Sequence, residues 1–141
     1  MKVTLTDDAL RFARLFETET DATVRDCIVD DEHDRLIILV KTGEMGKAIG
    51  SGGEQVRHIQ DQIGRSVKLV EDADRPEDLV ANALAPAAVY DVTINENDDT
   101  IAYVEVAAED RGAAIGADGK NIDAARELAK RHFDIDDIEF S

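Results

Sequence analysis

Two twelve-residue stretches hold the residues best suited to chemistry. AIGSGGEQVRHI, residues 48–59, contains Gly50, Gly52 and Gly53; AIGADGKNIDAA, residues 114–125, places Gly116 and Gly119 in the same frame 66 positions later. Glycine permits left-handed backbone and keeps Cβ atoms out of a ligand's way. A helix that starts directly after such a loop aims unpaired N–H groups and its positive dipole end at it, which favours an anionic phosphate. The chemistry on offer is the binding of a phosphate-bearing backbone, without bond making.

A lone Gly-x-x-Gly says little, and a third, Gly43 to Gly46, is expected only to shape a turn. Rival glycine motifs fail on spacing. A Walker loop needs glycine five residues before Gly-Lys, where this chain has Ala114 and Lys41. A dinucleotide fingerprint from Gly50 needs glycine at position 55, which is Gln55. Basic groups gather around both loops. Residues 41–68 carry Lys41, Lys47, Arg57, Arg65 and Lys68 against Glu44, Glu54 and Asp61. Residues 111–131 carry Arg111, Lys120, Arg126, Lys130 and Arg131 against Asp118, Asp123 and Glu127. Positive charge is thus expected where a phosphate backbone would lie.

The elements that must hold these loops repeat. Thr6–Thr18 reads as a helix, with Thr6 as N-cap, two aspartates in the first turn, and Ala9, Phe12, Ala13 and Phe16 on one apolar stripe. Val24–Val29 and Leu36–Val40 read as a hairpin joined by the polar DDEHD. A helical turn over 43–49, the loop, a helix Glu54–Ile63 closed by Gly64, and the strand SVKLV follow. The charge run EDADRPED, residues 71–78, is the candidate boundary between a first domain (1–72) and a second (73–141). The order then recurs: a helix from Pro76 that ends before Pro86, strands Tyr90–Ile94 and Ile101–Val106, a turn Arg111–Ile115, the loop Gly116–Gly119, a helix Asn121–His132 and a strand Ile135–Phe140. A repeat of this length means two copies of one unit.

The 141 residues carry 32 acidic against 16 basic groups, a net charge of −16, with twenty aspartates and six lysines. Such a surface repels phosphates at low salt, but at 1 M salt charge is screened to within about 3 Å. The composition is that of a halophilic protein. Cys27 is the single cysteine, expected on a partly buried strand, so no intramolecular disulfide or cysteine metal cluster forms. No segment approaches the roughly 20 apolar residues of a membrane span, and Met1–Thr6 is no signal peptide, so a soluble cytoplasmic protein is expected.

Helix, strand, strand, helix, Gly-x-x-Gly, helix, strand resembles the type II KH fold, whose loop clamps about four nucleotides. The implied fold class is α+β: two tandem type II KH domains, each a three-stranded sheet with helices packed on one face. VANALAPAAV (80–89), AIGSGGEQV and AIGADGKNIDAARELAKRHFDI make the tandem similar to NusA-like transcription factors in their short archaeal form. The resemblance implies single-stranded RNA as partner in transcription elongation or termination, RNA polymerase as a neighbour, a monomer, and no cofactor. Carried over by position, the implied RNA-binding residues are Lys47, Ile49, Gly50, Ser51, Gly52, Gly53 and Arg57 in the first domain. In the second they are Ile115, Gly116, Ala117, Asp118, Gly119, Lys120 and Asn121, which opens the recognition helix.

Both loops depart from the family pattern. A basic residue usually follows the first glycine; here Ser51 and Ala117 stand there, and Asp118 adds a carboxylate. If each unit made about two phosphate contacts, a slope near −0.7 per contact would cost 10²- to 10³-fold in affinity per tenfold rise in salt. A binder in molar salt gains little from loop cations and must rely on apolar packing and base-edge hydrogen bonds. Sequence readout is expected in a groove between the post-loop helix and a neighbouring strand. Four Phe, two Tyr and no Trp leave no aromatic stacking platform, and Phe12 and Phe16 are expected in the core.

Catalysis and metal binding find no constellation. His33 is expected solvated in a hairpin turn, His58 on a helix surface and His132 at a helix end, without metal-ligand spacing. No nucleophile is paired with a base, so no catalytic residue is assigned. The alternative to RNA binding is a protein-interaction module of the transcription or translation machinery whose loops have drifted.

Overall fold

A computed structural model describes residues 5–141; residues 1–4, part of the stretch read as lacking a signal peptide, lie outside the described residues. The chain divides into two compact units between Asp72 and Ala73. Each is an α+β unit with the same order of elements.

The first unit runs α1 (Asp7–Thr20), β1 (Val24–Asp30), β2 (Arg35–Val40), α2 (Met45–Ile49), α3 (Glu54–Ile63) and β3 (Ser66–Glu71). Thr6 caps α1 by accepting the Ala9 N–H at 3.2 Å. The helix runs two residues past its expected end. Thr20 donates its hydroxyl to the Phe16 carbonyl at 2.7 Å, and Asp21, at φ 61, closes the last turn with its N–H on Glu17. Aspartate does there what glycine commonly does.

β2 lies centrally, antiparallel to β1 and parallel to β3. Parallel neighbours need a crossover, and α2, the glycine loop and α3 are that crossover, so sheet topology itself fixes where the loop emerges. Leu36, Ile38 and Val40 form the core with Ala13 and Phe16 of α1, Ala48 of α2 and Ile59 of α3. Each large side chain buried so contributes about 1.5–3 kcal/mol. Phe12 packs against this core from its edge. Cys27 belongs to it at 2% exposure, deeper than the partly buried position expected.

The other face of the first sheet carries charge. Arg35 and Asp30 form an ion pair of 2.8 Å that is nearly inaccessible to solvent. Burial by itself raises the Asp30 pKa, but the hydrogen bond from Arg35, the His33 N–H and the nearby charges hold it below the ordinary value. His33 is half-buried rather than solvated, because its N–H is drawn back onto the Asp30 carboxylate.

Lys68 pairs with Ile37 and shares this face. Burial, then the charge of Arg35, pull its ammonium down to about 8. An unfolded lysine titrates near about 10.4, so between these values the unfolded chain binds more protons and stability rises with pH. Lys68→Met is therefore expected to raise the denaturation midpoint at pH 7, and the gap to wild type should close by pH 10. A gap independent of pH between 7 and 10 would refute this.

The second unit runs α4 (Pro76–Ala83), β4 (Val89–Glu96), β5 (Thr100–Val106), α5 (Arg111–Ile115), α6 (Lys120–Phe133) and β6 (Asp137–Phe140), with β5 central and the same strand directions. Leu79, Ala83, Ala102, Val104, Ala114, Ala125, Leu128 and Ile138 are buried. β6 begins later than expected. Asp134 at φ 55 turns the chain, and the Ile135 N–H returns to the Ala129 carbonyl at 3.3 Å, so Ile135 belongs to the helix end. Among the described residues no helix is long and apolar enough to cross a membrane.

Candidate nucleic-acid interface

The two loops have one backbone conformation. Gly50 (φ 75, ψ 175) and Gly116 (φ 78, ψ 168) leave the short helices α2 and α5. A single 3₁₀ turn follows in each, Ser51–Gly53 and Ala117–Gly119, instead of open loop. Gly52 (φ 60) is matched by Asp118 (φ 56), and Gly53 (φ 79) by Gly119 (φ 73). The closing bonds match too: Gly53 N–H to Gly50 O at 3.2 Å, and Gly119 N–H to Gly116 O at 3.1 Å.

The glycines do different jobs. A Cβ on Gly50 would sit 2.9 Å from Gln55 Cβ and 3.0 Å from its backbone nitrogen; one on Gly116 would sit 2.8 Å and 2.9 Å from the same atoms of Asn121. The protein's own packing demands these two glycines, beyond any need of a ligand. Around Gly52 a Cβ would meet nothing within 4 Å. That is why the second loop can carry aspartate there.

Matching anchors hold the short helices. Glu44, just before α2, accepts the Thr23 N–H at 2.6 Å, and Asp110, just before α5, accepts the Ala88 N–H at 3.2 Å. The Thr23 hydrogen bond, then Lys47 and Lys41, hold the Glu44 carboxyl below its ordinary range. Behind each loop lies an amide. Gln55 Nε2 donates to the Glu19 carbonyl at 3.0 Å. Asn121 Nδ2 faces the carbonyls of Leu84, Ala113 and Ala114 at 3.1–3.3 Å. Asn121, expected among the RNA contacts, is buried, with its amide nitrogen turned to carbonyls of its own domain.

The outward side of each loop is bare backbone beside one exposed isoleucine, edged by few charges. Ile49 and Ile115, 37% and 39% exposed, stand on the same spot of the repeat. Ser51, Gly52, Ala117 and Asp118 are exposed, and Gly53 and Gly119 cap α3 and α6 without a side-chain hydrogen bond to the first-turn N–H groups. Lys47, Arg57 and Lys120 are exposed. A guanidinium nitrogen of Arg57 lies within 3.5 Å of where a Gly53 Cβ would be.

Several of the other cations counted near the loops in the sequence are engaged by groups of their own domain. Arg65 pairs with Asp31 at 3.1 Å, Arg126 with Asp137 at 2.9 Å and Asp123 at 3.5 Å, and Lys130 with Asp136 at 2.8 Å. The Lys130–Asp136 hydrogen bond raises the lysine pKa and lowers the aspartate's. Arg111 stacks over the Phe140 ring, 5.7 Å from its centre, and Lys68 is half-buried on the sheet. With two acids for each base, Arg65, Arg126 and Lys130 each find a carboxylate on their own domain. The loops are unequal: the first sets Lys47 and Arg57 against Glu54, whereas the second sets Lys120 against Asp118 and a nearby Asp123.

His58 approaches Glu19 at 3.7 Å, and among the described residues no three His, Cys, Asp or Glu side chains converge as a metal site. The repeat that aligns the glycines also aligns the half-buried Gln55 with the buried Asn121, which is the one signal in the sequence that pairs these amides.

Known proteins carry the same pattern. Residues 13–74 match the KH domain family and residues 76–140 the NusA-like second KH domain. Over its whole length the chain is 59% identical to the whole "probable transcription termination protein NusA" of Halobacterium salinarum, and 55% identical to that of Halococcus morrhuae. It is 32% identical over 133 residues to the transcription termination/antitermination protein NusA of Bacillus subtilis, spanning 36% of that longer protein. The crystal structure of APE1850 superposes on 97% of the chain with a TM-score of 0.85 at 32% identity, and is itself fully covered. The acidic composition accords with the haloarchaeal relatives. The chain belongs to the NusA family of KH-domain transcription factors.

Proposed function

We propose that this protein holds single-stranded RNA against its two glycine turns during transcription elongation or termination. It does so as a non-catalytic monomer in the cytoplasm, close to RNA polymerase. The observation that carries this reading is the matched pair of exposed turns, with equal backbone angles and an exposed isoleucine at the same place in each. In this reading the sugar–phosphate strand lies on the glycine turn, within reach of the uncapped first-turn N–H groups of α3 and α6. Ile49 and Ile115 pack on bases, a contact that salt does not screen. Lys47 and Arg57 give the first turn a phosphate preference that the second lacks.

Gly52→Asp tests this. The residue is expected to fold normally, because Asp118 already adopts that conformation in the second unit. Fluorescence anisotropy with a labelled single-stranded RNA at 0.1 M KCl should show affinity about tenfold lower, an effect that fades in molar salt. Wild-type protein that binds no RNA at any salt would overturn the reading and leave a protein-interaction module.

A further inference from the structure

The amides behind the turns offer more than a staple for the fold. Asn121 is 9% exposed, and its nitrogen points at three carbonyl oxygens, an arrangement only the NH₂ end can occupy. Two of those carbonyls, Ala113 and Ala114, belong to α5, which leads into the turn; the third, Leu84, follows α4. The same residue's Cβ and backbone nitrogen lie against Gly116. One side chain thus touches the helix before the turn, the turn's first glycine and the end of the domain's opening helix, from its own seat in the helix after the turn. In the first unit Gln55 has the same seat. It rests on Gly50 and reaches the Glu19 carbonyl of α1 with one hydrogen bond.

We propose that Gln55 and Asn121 are positioning residues for RNA: packed against the turn's first glycine and tied by their amides to the helices behind it, they hold each glycine turn at the angle that lines up its exposed backbone for the strand. This rests on the RNA-binding reading above. A turn that binds through backbone donors has no flexible side chain to correct a misplaced loop, so its orientation must be set from behind, to within about half an ångström. Asn121 shares its two amide protons among three carbonyls, two of them on α5, whereas Gln55 makes one bond, to α1, so the second turn is the more firmly held. The second is also the turn with less help from cations.

The variants are Asn121→Leu, which keeps the size and removes the donor, Asn121→Gln, which returns it on the arm the first unit uses, and Gln55→Leu. Three quantities are measured: affinity for a labelled single-stranded RNA, thermal unfolding, and amide hydrogen exchange at Gly116 and Gly119, or Gly50 and Gly53, without RNA. Asn121→Leu is expected to unfold cooperatively, to exchange its loop amides faster and to bind RNA about tenfold more weakly. Asn121→Gln should recover most of both losses, and Gln55→Leu should lose about threefold. Unchanged RNA affinity in a folded Asn121→Leu, or weaker binding with unaltered loop exchange, overturns the proposal. Should Asn121→Leu fail to fold, Gln55→Leu decides by the same two readouts. Wild-type protein that binds no RNA defeats the functional reading, whereas the loop exchange still reports whether the amide holds the turn.

Discussion

Gly116→Ala should destabilise the second domain by about 3–5 kcal/mol, while Gly52→Ala, two residues into the matching turn, should cost only about 1 kcal/mol. At Gly116 the backbone lies at φ 78 and ψ 168, a region open essentially to glycine alone, and the added methyl would press on the backbone nitrogen and Cβ of Asn121 at 2.9 and 2.8 Å. Neither atom can move without shifting the start of α6. The strain and the overpacking add. At Gly52 the backbone is left-handed but the surroundings are empty, and the entropy that alanine removes from the unfolded chain offsets part of the strain. Denaturant titration in high KCl reads both. Equal losses at the two positions would contradict the division of the glycines into one held by packing and one left open.

Asp118→Lys should bind single-stranded RNA about tenfold more tightly at 0.1 M KCl, and the gain should shrink below about twofold at 2 M. Asp118 is exposed at the turn, so its carboxylate repels a phosphate lying there, and a lysine would replace repulsion by a contact. One phosphate contact adds about 0.7 to the salt slope, worth roughly eightfold between those two concentrations. Asp118→Gly gives the second turn the residue of the first, without strain, and should show an intermediate gain. A tenfold advantage that survives at 2 M would mean that charge is not the quantity at stake. So would the absence of any gain at 0.1 M.

Several helix ends marked by glycine were legible in the sequence to the residue. Glu54–Ile63 and Arg111–Ile115 occur as read, because Gly53, Gly64 and Gly116 enforce their ends with positive φ. Where aspartate plays that part the ends were missed, as at Asp21 after α1 and Asp134 after α6. Aspartate is too common in this chain to mark a stop. The allocation of cations was not legible either. Which of many carboxylates meets Arg65 or Arg126 depends on strand pairing, and counting charges along the chain cannot supply that. The burial of Asn121 was not legible, because a polar residue at the start of a recognition helix is expected to face outward. Only the carbonyls that converge on it reveal the opposite.

The near-identity of the two turns at Gly52 and Asp118 has an evolutionary corollary. Codons for glycine and aspartate can differ by a single base, and the fold accepts either residue at this point. Lineages living at different salinities can therefore retune how strongly each half of the molecule attracts a polyanion, one mutation at a time, with every intermediate still folded.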